Sequence, residues 1–154
     1  MKWTSKNIEA YMQSKEYVDT ALIPLLPINW KTEIKGTVAM GEYITIIIAE
    51  LERQLHGRVL EFPPYTYLKN EQFEEHVSRL KNWTEEIKAG GMKHVFYFTA
   101  DNEWKQHEEQ LDAPLIWMPV VPLEHMDERY KLEIVQDQTK QLLQIVTKKW
   151  QNQQ

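Results

Sequence analysis

Ala21-Leu22-Ile23-Pro24-Leu25-Leu26-Pro27-Ile28 is a continuous apolar run of strand length in a chain of 154 residues. A strand with one wet face alternates apolar and polar residues. This run does not alternate, which predicts a strand covered on both faces, as in parallel sheets flanked by helices. Pro24 and Pro27 each remove a ladder donor and are the one feature set against that reading.

Reading outward from this strand gives the order of elements. Upstream, Thr4 or Ser5 is the expected N-cap of a helix with Ile8, Tyr11, Met12 and Lys15 at helical spacing. Downstream, Met40, Ile44, Ile47, Ile48, Leu51 and Leu55 share one face of a helix that Gly57 follows. A strand is expected over 58–63, stopped by Pro63-Pro64. Asn70 opens a helix carrying Phe73, Val77, Leu80 and Ile87 and closed by Gly90-Gly91. His94-Val95-Phe96-Tyr97-Phe98-Thr99-Ala100 is the third strand. Asp101 is the expected cap of a short helix with Trp104 and Leu111 inward, and a fourth strand is expected over 114–120. A long helix over 123–150 places Val135, Leu142, Val146 and Trp150 on one stripe, and the tail 151–154 is expected to fray.

A helix followed by four strand–helix units predicts an α/β fold: a three-layer sandwich with a mainly parallel four-stranded sheet, helices on both faces and a long C-terminal helix. The length fits a single α/β domain over residues 1–150. In such sheets ligands gather beyond the carboxyl ends of the strands, where the strand order reverses. That rule nominates the loops 27–36, 63–69, 99–104 and 121–127.

Composition removes whole classes of function. The chain has no cysteine, which excludes disulfides, thiolate nucleophiles and Cys-type metal centres. Its net charge of −5 and lack of a basic cluster argue against a nucleic-acid partner. The longest uncharged apolar run, 20–30, is shorter than the roughly 18–20 residues of a membrane span. The opening Met1-Lys2-Trp3-Thr4-Ser5-Lys6-Asn7 lacks the apolar stretch of a signal peptide, so a cytoplasmic location is expected.

The nominated loops lack the common catalytic and phosphate-binding signatures. Gly36-Thr37-Val38-Ala39-Met40-Gly41-Glu42-Tyr43 has glycines at P-loop spacing but puts Glu42 where a lysine must meet phosphate. No G-x-G-x-x-G is present. A phosphoacceptor domain needs an acidic pair after the first strand, where Asn29-Trp30 stands. The only serines are Ser5, Ser14 and Ser78, all on predicted helices, which leaves a triad hydrolase without a nucleophile. Glu124-His125-x-Asp127 and the set Asp101, Glu103 and His107 lie at one edge of the sheet, but an i,i+4 surface pair and a helix-entry acid account for them, and no metal site or cofactor is assigned.

Aromatic side chains are the remaining signal. The chain has six Trp and seven Tyr against five Gly. Trp30, Tyr65, Tyr67 and Trp104 are expected in or beside strand-end loops, and Trp30 with Trp104 as a loop pair. With Asn29, Asp101, Asn102 and His125 they form the candidate ligand- or partner-binding set; no residue is assigned as catalytic.

The motif order Tyr11-Met12-Gln13, Ala21-Leu22-Ile23-Pro24-Leu25, Glu61-Phe62-Pro63-Pro64-Tyr65-Thr66-Tyr67 and Phe96-Tyr97-Phe98-Thr99 resembles the YpiF-like family of uncharacterised small bacterial proteins. The resemblance implies a cytosolic bacterial protein and supplies no catalytic residues. A fainter likeness is to the creatininase-like amidohydrolases. Ile23-Pro24 followed by Asn29-Trp30-Lys31-Thr32-Glu33, and Tyr97-Phe98-Thr99-Ala100-Asp101-Asn102, are similar to segments that in those enzymes lead into metal-binding loops, here without the ligands. The resulting expectation is a non-enzymatic domain acting through protein–protein contact, as an accessory or assembly factor or as a homodimer. The alternative is a small-molecule-binding protein or metal-assisted hydrolase with its site at the carboxyl edge of the sheet.

Overall fold

The structure, a computed structural model, describes residues 1–152. Its elements are α1 (Ser5–Gln13), β1 (Thr20–Ile28), α2 (Ile34–Gln54), β2 (Val59–Glu61), β3 (Tyr65–Leu68), α3 (Phe73–Ala89), β4 (His94–Thr99), a 3-10 helix (Asn102–Gln110), β5 (Leu115–Trp117) and α4 (Glu128–Asn152). All strand pairs are parallel. β1 is central, with β2 and β3 on one side and β4 then β5 on the other. The α/β sandwich is therefore as expected, with five strands rather than four.

Two apolar layers cover the sheet. Ile23, Leu25, Tyr65, Tyr67, Val95 and Tyr97 face α3 and the 3-10 helix, with Ile8 and Tyr11 of α1 packed at the margin. Leu22, Phe96 and Phe98 face α2 and α4. Residues 20–25 and Pro27 of β1 are buried, whichever face their side chains take, so the run without alternation has the cause proposed for it. The far end of α4 is tied to the start of β1: buried Trp150 donates its indole N–H to Thr20 Oγ1 at 2.9 Å, and the Arg58 guanidinium lies 3.5 Å over the same ring.

The two prolines of β1 fall where the ladder is already interrupted. The carbonyls of Leu22 and Ile28 accept from the N–H groups of Phe62 and Lys69, so the even-numbered residues of β1 turn their backbone toward β2 and β3. Pro24 thus faces the gap between β2 and β3, which Pro63 and Pro64 occupy. Pro27 turns toward β4, beyond the last residue in register, Pro24 opposite Phe98. No pairing donor is wasted at either position.

The segment 63–69, expected as a loop, contains a strand. Glu61 stands opposite Leu22 and Tyr65 opposite Leu25, so four steps along one strand match three along the other. The extra residue at Phe62-Pro63-Pro64 acts as a bulge. Side chains alternate with period two, so one added residue exchanges the faces of everything after it. Leu60 and Phe62 already lie on the α3 face; without the bulge Tyr65 and Tyr67 would fall on the α2 face. With it they rejoin the α3 face.

Two further boundaries differ. The fourth strand, expected over 114–120, is confined to Leu115–Trp117. The last helix begins at Glu128 rather than near 123, because Pro122 and the positive φ of His125 (70°) interrupt the chain and Asp127 then caps the helix through Tyr130 N–H at 2.8 Å. Gln151 and Asn152 continue that helix, and the rest of the expected tail lies outside the described residues.

Candidate functional site

The strand order reverses at β1, since the chain leaves it for β2 and β3 on one side and returns to β4 on the other. The crevice between the carboxyl ends of β1 and β4 is therefore the topological site. An open polar depression lies here, lined by Asn29, Lys69, Asn70, Asn102, Glu103 and Gln106.

Beneath it is a fully enclosed network. Tyr67 donates its hydroxyl to Asp101 Oδ2 at 2.6 Å and accepts the indole N–H of Trp104 at 2.9 Å. Asp101 Oδ1 accepts from Lys69 Nζ and from the Glu103 backbone N–H, each at 3.1 Å. Asp101 and Trp104 are wholly buried. Burial and the adjacent Asp101 push the Tyr67 hydroxyl far above its ordinary value, so it stays protonated and acts as a donor. Lys69 reaches the depression with Asp101 at 3.1 Å and Glu103 at 3.9 Å. Its charge is thus offset before any anionic ligand arrives. Asp101 thus accepts three hydrogen bonds, all from within the network.

The second tyrosine closes the same layer. Tyr65 lies 2.8 Å from His76 Nδ1, and His76 Nε2 is 3.1 Å from the Leu68 carbonyl, which can only accept. In the neutral ring Nε2 therefore carries the proton and Nδ1 accepts from Tyr65. Tyr67, Phe73 and Trp104 meet edge to face, with the Phe73 and Trp104 ring centres 4.5 Å apart.

The candidate residues separate into two groups. Tyr65, Tyr67, Asp101 and Trp104 come together, but inside the protein, because β3 is a strand and the 3-10 helix turns Trp104 inward. Asn29, Trp30, Asn102 and His125 are at the surface. Asn29 Oδ1 accepts from the N–H groups of Lys31 and Thr32, which shapes the turn into α2. Trp30 is 74% exposed, so it and Trp104 do not form the expected loop pair. His125 is exposed and 3.3 Å from Glu124. Among the described residues no three His, Asp or Glu side chains converge as a metal site would require.

Glu103 and His107 do not form the surface pair expected of an α-helix. In a 3-10 helix positions three apart lie above one another, so His107 follows Trp104 and stacks on Phe73 at 4.7 Å, while Glu103 turns to Lys69. Sequence reasoning also missed Lys69 and His76. The alternation Tyr65-x-Tyr67-x-Lys69 was the available signal, masked by the two prolines before it.

The family model for proteins of unknown function, DUF2487, matches residues 9–150. The chain belongs to this family. The uncharacterized protein YpiF of Bacillus subtilis (strain 168) is 35% identical over 150 residues, which span 97% of this chain and 98% of that protein. The expected YpiF-like membership is therefore shown, and the protein is a bacterial member of a family without an assigned activity. These comparisons do not extend to the creatininase-like amidohydrolases, and no solved structure matches. Among the described residues no helix is long and apolar enough to cross a membrane.

Proposed function

We propose that the protein is a non-enzymatic cytoplasmic domain that binds another protein through the carboxyl edge of its sheet. The observation that carries this reading is Trp30, 74% exposed on the turn between β1 and α2. A tryptophan held at the surface exposes a large apolar area to water, and tryptophans of this kind dominate binding energy at interfaces. Ile34 and Val38 follow on the adjoining turns of α2, 38% and 56% exposed, and Ile28 and Leu68 expose apolar surface at the ends of β1 and β3. The side-chain amides of Asn70, Asn102 and Gln106 beside them suit a partner's backbone, which offers both donors and acceptors. Asp101 and Tyr67, the groups best placed for acid–base chemistry, are engaged with each other.

Size analysis of native complexes in cell extract tests this reading. The wild-type chain is expected above its monomer mass, and Trp30→Ala at the monomer position. Monomeric migration of both would contradict it.

A further inference from the structure

A second cleft opens at the same carboxyl edge, on the α2 face of the sheet. Its walls are Ile34, Val38 and Ala39 of α2 and Val121, Pro122 and Leu123 of the segment after β5, and its volume is about 280 Å³. Tyr43 also lines it. That residue is 2% exposed, and its hydroxyl is buried without a hydrogen-bond partner. Buried polar groups are almost always paired, and leaving a hydroxyl unpaired costs about 1–3 kcal/mol, so an unpaired hydroxyl behind the wall of a cleft is a donor for a ligand that enters deeply enough to reach it.

The lining defines the ligand. The walls are aliphatic, and the volume falls just under the roughly 300–1,000 Å³ of typical small-molecule sites, which calls for a compact apolar body. Burial raises the Tyr43 hydroxyl above its ordinary value, so it remains a donor and needs an acceptor. Lys35, Glu42 and Glu124 supply one positive and two negative charges, a balance that disfavours a carboxylate or phosphate. We infer that this cleft binds a compact neutral molecule with an aliphatic or alicyclic body and one carbonyl-type oxygen, as in a ketone, ester or amide, that accepts a hydrogen bond from Tyr43. The cleft shares Ile34 and Val38 with the surface proposed for protein contact but none of the Tyr67–Asp101 network, and because it can be tested on the purified chain, its failure is distinguishable from that of the protein-contact reading.

The probes are cyclohexanone and methylenecyclohexane, which share a shape but differ in the acceptor oxygen. In proton–nitrogen correlation spectra of the full chain, cyclohexanone is expected to shift the amides of Val38, Ala39, Tyr43, Val121 and Leu123 saturably, and Tyr43→Phe to weaken it about 5–10-fold relative to methylenecyclohexane. The same substitution should leave the ligand-free protein as stable as wild type or more so, since it removes an unpaired buried hydroxyl. Absence of saturable shifts, an affinity ratio of the two probes unchanged by Tyr43→Phe, or a Tyr43→Phe protein that is clearly less stable without ligand would each overturn the inference.

Discussion

Tyr67 and Asp101 are 34 residues apart in the chain and joined by a 2.6 Å hydrogen bond in a fully enclosed site. One contact links β3 to the turn after β4 across the end of β1, and it depends on the register shift at Pro63-Pro64. The polar groups at the switch point thereby hold the sheet end together.

Tyr67→Phe removes the donor to Asp101 and the acceptor for Trp104 without changing ring volume. Leaving buried partners unpaired costs about 1–3 kcal/mol each. Denaturant unfolding should show a loss of roughly 2–4 kcal/mol, and the Trp104 environment, read by fluorescence of a variant lacking the other tryptophans, should change with it.

Deleting Pro64 should be far more damaging than Pro64→Ala. The deletion removes the extra residue, which turns Tyr65 and Tyr67 toward the α2 face and Thr66 and Leu68 toward the α3 face. Circular dichroism and thermal melting should show a loss of more than about 4 kcal/mol or no cooperative fold, against less than about 1 kcal/mol for the substitution. Equal stability of the two variants would remove the bulge from the account.

Glu52 and Glu61 make opposite contributions to stability. Burial alone would raise the Glu52 carboxyl, but the α-amino group of Met1 at 2.7 Å and His56 at 3.2 Å hold it below its ordinary value. Its stabilisation is present above the ordinary carboxylate range and is lost as pH falls through its lowered folded value. Burial pushes Glu61 up, and one of its carboxyl oxygens is buried without a partner. Its contribution runs the other way, favourable at low pH and lost as pH rises through the raised value. At neutral pH Glu52→Gln should destabilise by roughly 3–5 kcal/mol, as breaking a buried pair does, whereas Glu61→Gln should stabilise. Both differences should shrink below pH 4 in pH-resolved unfolding.

Trp150→Ala removes a buried indole, its bond to Thr20 and the ring beneath Arg58. The two bonded residues are 130 positions apart. A loss of about 3–5 kcal/mol is expected in equilibrium unfolding, with amide exchange accelerating first in α4.

Most of the fold was legible because the cues were local. Apolar period identified α2, α3 and α4, the run at 21–28 identified a strand covered on both faces, 94–100 was legible as a further strand, and Thr4 caps α1 through the Asn7 N–H as its position suggested. β3 was not legible, since Pro63-Pro64 is a stop signal in isolation and becomes a bulge only where β1 has its own proline opposite. The candidate site was half legible for a related reason. Position along the chain brought Tyr65, Tyr67, Asp101 and Trp104 to the right edge, but whether a side chain there points inward depends on register, on helix type and on a distant lysine. Trp30, whose turn is shaped locally by Asn29, lies on the surface as its loop position implied.

The central claim is that Trp30 serves contact and not stability. Its most direct test is photo-crosslinking in living cells from a photoreactive phenylalanine analogue at position 30, beside the same analogue at the exposed position 81 of α3. A discrete protein adduct is expected from position 30 alone, in a variant whose melting temperature matches wild type. Equal labelling from both positions, or no adduct from position 30, would contradict it.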